Sequence, residues 1–276
     1  MARNISPLAS IDPKAELADD VTIGPFCVIG PHVRIGAGTQ LANNVTVIGH
    51  STIGEHNILF PNVVIGAYPQ DLSYKGEPTR VEIGNHNQLR EGVTINRATT
   101  KEDGLTRIGN HNYFMANSHA AHDCKIGDHV ILANGVLLGG HTHVHHRAIL
   151  SGNAGVHHYV TVGSGSFVGG LSRIVHDVPP FLLVEGNPSM VRCVNLVGVK
   201  RQGLTAAEIA SLSEAHRLIY RAKMGLKHAE EILASHNHLT THVKTLIEFI
   251  EQQHNGKHGR QREGRRAAPA TQKEAA

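Results

Sequence analysis

Aliphatic residues fall on every sixth position through most of the first 180 residues of this chain. Ile11, Leu17, Ile23, Ile29, Ile35, Leu41, Val47, Ile53, Leu59 and Ile65 keep the count, Ile83, Leu89 and Ile95 resume it, and a third run goes by sixes from Ile108 to Ile174. A period of six matches neither a helix nor a simple alternating strand, so each hexad reads as one short strand and a corner. The residue two places before each aliphatic is usually compact, as at Val21, Cys27, Val33, Thr39, Val45, Val130 and Ala148, and alternation turns both sets inward. Three hexads make one triangular coil of 18 residues, and stacked coils make a mainly β chain, a parallel β-helix whose hand the spacing leaves open. Gly follows the aliphatic in many hexads, at Gly24, Gly36, Gly54, Gly84, Gly109 and Gly127 among others, where it is expected to supply corners of positive φ.

The period breaks twice, at 66–82 and 96–107, in polar stretches rich in turn residues. Insertions into a solenoid leave as loops from one edge and commonly carry function. Pro179 and Pro180 remove strand donors, which ends the repeat and sets the first domain at 1–180. A connector over 181–203 leads to Thr205, Ala206, Ala207 and Glu208, a capping box that opens a helical domain over 204–254. Residues 255–276 read as a basic disordered tail with a net charge of +4, which leaves the rest of a +3 chain near −1.

Composition agrees with a narrow prism filled by aliphatic layers, since the chain has no Trp and only 4% aromatic residues. No apolar run approaches the roughly 18 to 20 residues of a membrane-spanning helix, and the N-terminus lacks the pattern of a signal peptide, so a cytoplasmic location is expected. Cys27, Cys124 and Cys193 show no disulfide or zinc spacing, and the first two sit at inward positions as small hydrophobes. Nucleic acid is not expected as a partner, because the basic tail lacks interleaved aromatics.

The coil period also places the histidines, of which there are 22. Counted in eighteens through the uninterrupted stretch, His122, Gly140, His158 and His176 form one column, and Asp123, His141 and Asp177 form the next. With His157 beside them, one edge of the prism gathers an imidazole ridge at corner or outward positions. A neutral His next to a carboxylate is a general base, because the carboxylate orients the ring and stabilises imidazolium. The Gly140 N–H, one coil above His122, is a candidate oxyanion donor. His143, His145 and His146 extend around a neighbouring face.

Beyond this periodicity, the segments IGPFCVIGPHVRIG, PQDLSYKGEPTRVEIG, NSHAAHDCKIG, LGGHTHVHHRAIL and DVPPFLLVEGNPSMVRCVNLVGVKRQG resemble the bacterial acyl carrier protein:UDP-N-acetylglucosamine O-acyltransferases, the first enzymes of lipid A synthesis. The likeness runs in order over about 250 residues, and the HxxHDC and QDL…YKGEPTRVEIG segments are specific to that family. The resemblance implies a left-handed β-helix, a homotrimer with sites between prisms, and no cofactor or metal. Acyl carrier protein would be the acyl donor and UDP-N-acetylglucosamine the acceptor. It implies His122 as base, Asp123 as its orienting partner and Gly140 as oxyanion donor. Asp71, His119, His141, His157 and His158 would line the sugar and pantetheine region, Asn195 and Arg201 would face the nucleotide, and Gly170 would mark the end of the acyl chain.

The chain departs from the family pattern at Ser73, where Lys is usual, with Lys75 two residues on as a replacement if the loop shifts. Val197, Gln202 and His158 replace a usual Glu, Arg and Gln. The residues therefore leave open the same chemistry on another nucleotide sugar or acyl donor. Two further readings stand: a zinc lyase like the gamma-class carbonic anhydrases, built on His141 and His146, or a catalytically silent binding protein.

Overall fold

The computed structural model describes residues 4–263. Short strands stack into three sheets of eleven, nine and eight strands among these residues, parallel throughout except for the last strand of the first. The chain visits the sheets in rotation, as in Thr22–Ile23, Val28–Ile29 and Val33–Ile35, before returning to the first. Register follows the eighteen-residue coil: Ile131 pairs with Ile149, Leu137 with Gly155 and His143 with Thr161. The two insertions stretch this spacing, so that Ile53 pairs with Ile83 and Ile83 with Ile108. Both leave from the corner between the second and third sheets.

Ile23, Val47, Ile65, Leu89, Ile108, Leu132 and Val168 are buried in one continuous core together with the compact residues Val21, Cys27, Val33, Val130 and Ala148. Single layers of aliphatic side chains fill the prism, and dispersion between layers adds to the gain from leaving water. Inside the corner between the third and first sheets, Asn57, Asn87 and Asn112 form a ladder. The Oδ1 of Asn57 accepts the Asn87 N–H at 2.8 Å, and that of Asn87 accepts the Asn112 N–H at 2.8 Å.

The glycines serve differently from the expectation. Gly24, Gly36, Gly54, Gly84, Gly109 and Gly127 are absent from the positive-φ residues, which instead fall two places later on Phe26, Gly38, His56, His86, His111 and His129. What Gly supplies is room: a Cβ at Gly109 would lie 2.7 Å from the carbonyl oxygen of Gly127 in the next coil, and one at Gly84 would lie 2.8 Å from that of Gly109. Coils stacked at strand spacing leave no space for a methyl group at this point.

The stretch expected as a connector is ordered structure. After the two prolines, Leu182–Gly186 adds in parallel to the first sheet, and Ser189–Val194 pairs back antiparallel to it. Leu182, Val184 and Val194 are buried there, so apolar alternation overrides the signal of the prolines, which stand before the strand. Four α-helices follow among the described residues, α1 (Leu196–Arg201), α2 (Ala206–His216), α3 (Leu226–Ser235) and α4 (Thr241–Asn255), with a π-helical turn over Arg217–Arg221 extending α2. The capping box forms as expected, with the Thr205 hydroxyl accepting from the Glu208 N–H. Val199, Leu212, Leu218, Leu233 and Leu246 join Leu182 and Val194 in a second core.

The basic tail is corrected in part. Residues 256–263 turn back onto the last coils: the Asp177 N–H donates to the Gly259 carbonyl at 2.8 Å, the Gln261 N–H to the Asp177 carboxylate at 2.7 Å, and Arg260 to the Val175 carbonyl at 2.8 Å. The partners lie far away in sequence, so composition alone could not place them. Residues 264–276 of the expected tail lie outside the described residues. No helix among the described residues is long and apolar enough to cross a membrane.

Gly109→Ala is expected to destabilise the chain by about 1–3 kcal/mol through overpacking. At Gly155 an added Cβ meets nothing within 4 Å, so Gly155→Ala should stay within about 0.5 kcal/mol of wild type. Urea unfolding of both variants checks this.

Candidate active site

The corner that emits both loops also carries His122 and Asp123, and the next two coils add Gly140, His141, His157, His158 and Tyr159. The period expected corner or outward positions, yet His122, Asp123 and His141 are 5%, 0% and 3% exposed. The second loop and the C-terminal segment cover them, whereas His157 and His158 stay exposed. One nitrogen or oxygen from each of His122, Asp123 and His141 lies within 4.8 Å of the others.

The Nδ1 of His122 is 2.8 Å from Asp123 Oδ2. Burial alone would push the Asp123 carboxyl up, but hydrogen bonds from His122 and from the N–H and hydroxyl of Thr99 outweigh it and hold it below the ordinary range. The Thr99 hydroxyl donates at 2.7 Å, and the Asp123 N–H donates to Thr106 Oγ1 at 2.8 Å. An ionised Asp123 fixes the proton on Nδ1, which leaves Nε2 as the basic nitrogen.

Gly140 lies against that ring. A Cβ there would stand 2.5 Å from Cε1 and 2.7 Å from Nε2 of His122, so the imidazole takes its place because residue 140 has no side chain. The His141 ring stacks on Tyr159 with centroids 4.4 Å apart and meets His122 edge-on at 5.2 Å. Its Nε2 is 3.7 Å from Asp123, and its Nδ1 is 3.1 Å from Glu102, off the direction of a good hydrogen bond.

A groove of about 690 Å³ runs from this corner over the outer face of the second sheet, lined by His119, His122, Leu137, Gly155, His157, His158 and Arg173, with Gln70 of the first loop also at its wall. Leu137 is 54% exposed within it, and Gly155 leaves the floor open. Imidazoles at one end and an apolar floor suit a substrate with a reactive polar group and a hydrocarbon chain. His119, held below its usual basicity by burial and the nearby His122, shares a 2.7 Å contact with the Thr94 hydroxyl.

Other expected site residues lie elsewhere on the prism. Gly170 is at the corner between the first and second sheets and does not line the groove. Asn195 caps α1, accepting from Gly198 at 3.0 Å and donating to the Gly165 carbonyl at 2.9 Å, and Gln202 packs against Gly165 as well. These positions and Arg201 belong to the corner between the third and first sheets. His146 sits there too, 3.4 Å from Asp128, so the zinc reading fails within one chain: His141 and His146 occupy different corners.

Asp71 meets its cation in an unexpected way. The backbone N–H of Lys75 donates to Glu77, and it is the ammonium of Lys101 that reaches Asp71 from the second loop. Hydrogen bonds from Lys101 first, then from Ser73, hold the Asp71 carboxyl well below the usual range. Thr99, Lys101, Glu102 and Arg262 all escape sequence reasoning. The first three lie in a loop already flagged as functional, but without the period nothing aims their side chains. Cys124 behaves as expected of a core thiol, pushed up to about 12 by burial.

A triangular prism of hexads, with an oriented His, a bare Gly against it and a groove beside both, defines a hexapeptide-repeat transferase. Residues 14–49 and 105–140 match the bacterial transferase hexapeptide family, and residues 177–259 match the family described as UDP N-acetylglucosamine O-acyltransferase, domain 2. The acyl-[acyl-carrier-protein]–UDP-N-acetylglucosamine O-acyltransferase of Syntrophobacter fumaroxidans is 46% identical over 247 residues, covering 89% of this chain and 96% of that protein. Among solved structures, LpxA from Acinetobacter baumannii superposes with a TM-score of 0.85 at 42% identity, covering 90% of this chain and 96% of that one. The UDP-N-acetylglucosamine acyltransferase of Francisella novicida gives 0.85 at 39%, covering 90% and 91%. This chain belongs to the family of acyl-[acyl-carrier-protein]–UDP-N-acetylglucosamine O-acyltransferases.

Two predictions follow from the corner. Gly140→Ala should displace the His122 ring, lower kcat by about 10²-fold and lower the melting temperature while the chain still folds, as steady-state kinetics and calorimetry would read. The second concerns Asp177, whose carboxyl is pushed up to about 6, chiefly by burial, against an ordinary 3.8. Between those values the folded chain holds the extra proton, so the stability contribution of Asp177 falls as pH rises from about 4 and is lost above about 6. Asp177→Asn should flatten that part of the slope in urea titrations across this window, whatever its overall stability.

Proposed function

We propose that His122 is the general base with which this chain moves an acyl group from acyl carrier protein to UDP-N-acetylglucosamine, the first step of lipid A biosynthesis. The observation that carries the reading is the His122–Asp123 bond of 2.8 Å with the ring packed on Gly140. Nε2 takes the proton of the sugar 3-hydroxyl as its oxygen attacks the thioester carbonyl. The C–O bond forms, the carbonyl oxygen becomes an oxyanion, and the N–H of Gly140 donates to it. Collapse breaks the C–S bond, and Nε2 returns its proton to the departing pantetheine sulfur. No covalent enzyme intermediate is required.

Asp123 stabilises the imidazolium while it lasts, and its own low basicity keeps it from accepting the proton. His119, His157 and His158 offer polar contacts along the groove, and the Leu137–Gly155 floor takes the apolar part of the donor, a 3-hydroxyacyl chain. Asp71, paired with Lys101, sits on the first loop, which would meet substrate from across a trimer interface. A homotrimer accounts for the position of Gly170, Asn195 and Arg201 at other corners: a neighbouring prism brings such a corner to the His122 edge. The setting is the cytoplasm.

His122→Ala should lower kcat by about 10²- to 10⁴-fold in a coupled acyl carrier protein assay while the oligomer stays folded. Wild-type turnover in that variant would refute the base.

A further inference from the structure

The C-terminal segment brings one residue to the buried cluster. Arg262 donates to the Glu102 carboxylate at 2.8 Å and to the carbonyl oxygen of His141. Its guanidinium is 21% exposed and Glu102 27%, so the pair is shielded enough for its charges to count. Anchoring comes from the neighbours already described: Gly259 and Gln261 on Asp177, and Arg260 on the Val175 carbonyl.

The consequence is a charge balance. His141 stands between two carboxylates, Asp123 at 3.7 Å and Glu102 at 3.1 Å. Two anions around one imidazole favour its protonated form, and a cationic His141 would compete with His122 for Asp123. The other titratable groups facing the pair are His119, His143, His145 and His158, all with lowered basicity, burial first, together with His157, Tyr159 and the Cys124 thiol, which burial pushes up. Asp177 faces Arg262 from the anchor, where two backbone N–H groups and Arg260 already answer it. Arg262 is thus the cation that offsets Glu102.

We propose that Arg262 is a positioning residue: by neutralising Glu102 it holds His141 uncharged and reserves the Asp123 carboxylate for His122. The proposal rests on the reading of His122 as base. With Arg262 in place the cluster carries one net negative charge, which matches the single imidazolium formed during transfer. Without it the cluster carries two, and His122 and His141 both hold protons to higher pH.

The test is the pH profile of kcat for the full chain with acyl carrier protein thioester and UDP-N-acetylglucosamine saturating. Arg262→Gln should move the acid limb up by about one unit, lowering kcat by about threefold at pH 7 and by about tenfold well below the limb. Adding Glu102→Gln to that variant should return the limb to its wild-type position, and Arg262→Lys should hold it near there. A structural role alone would lower the melting temperature without moving the limb, and rescue by Glu102→Gln would not occur; either that result or an unchanged Arg262→Gln overturns the proposal. Should Arg262→Gln fail to fold, Glu102→Gln alone decides. It should move the limb down, and an unchanged limb or an upward shift overturns the proposal. His122→Ala, assayed separately, tells failure of the base from failure of this device.

Discussion

Contact between one coil and the next governs this molecule. Each strand lies against the strand one coil further on, eighteen residues away where no loop intervenes, and the backbone ladder that joins them brings carbonyl oxygens close enough at Gly84 and Gly109 to exclude a methyl group. That closeness sets the core, because it stacks the aliphatic layers, and it sets the site, because it drops the His122 ring onto Gly140. The same vertical step that builds the wall therefore brings base and oxyanion donor together. Stability and catalysis share one constraint, so few residues at this corner can change alone.

The repeat builds the corner, but irregular structure buries it. Thr99 and Glu102 come from the second loop, and Arg262 comes from the C-terminal segment; between them they cover Asp123 and His141 while leaving His157 and His158 in the open groove. Removing water there strengthens every bond to Asp123, and the carboxylate keeps its charge because donors surround it. A bare hexad corner would have left the same residues solvated, with the ring less firmly held. The loops and the segment thus convert a periodic ridge into an active site.

Some of this arrangement could be read in advance from the residues. Ile108 to Ile174 in sixes defined the prism, and counting in eighteens put Gly140 above His122 and His141 beside Asp123. The departures at Ser73 and Gln202 were equally visible, although not their outcome: Lys101, rather than Lys75, meets Asp71, and Gln202 fills space at Gly165. A Gly permits positive φ and close approach alike: Gly66 uses the first, with φ of 77°, whereas Gly84 and Gly109 use the second. Only the neighbouring coil tells which is used.

Periodic positions are local information: a strand two residues long has one inward face, and its partner lies a set number of residues away. By itself, then, the chain's alternation determined the β-helix, the core and the alignment of the His122 corner. Loop conformation, the return of residues 256–263 and the pairing of Arg262 with Glu102 depend on surfaces that exist only once the prism has formed. Those contacts join residues up to 160 apart and obey no period. Tertiary structure alone decided them, because a charge on a long side chain pairs with whichever carboxylate the finished fold presents to it.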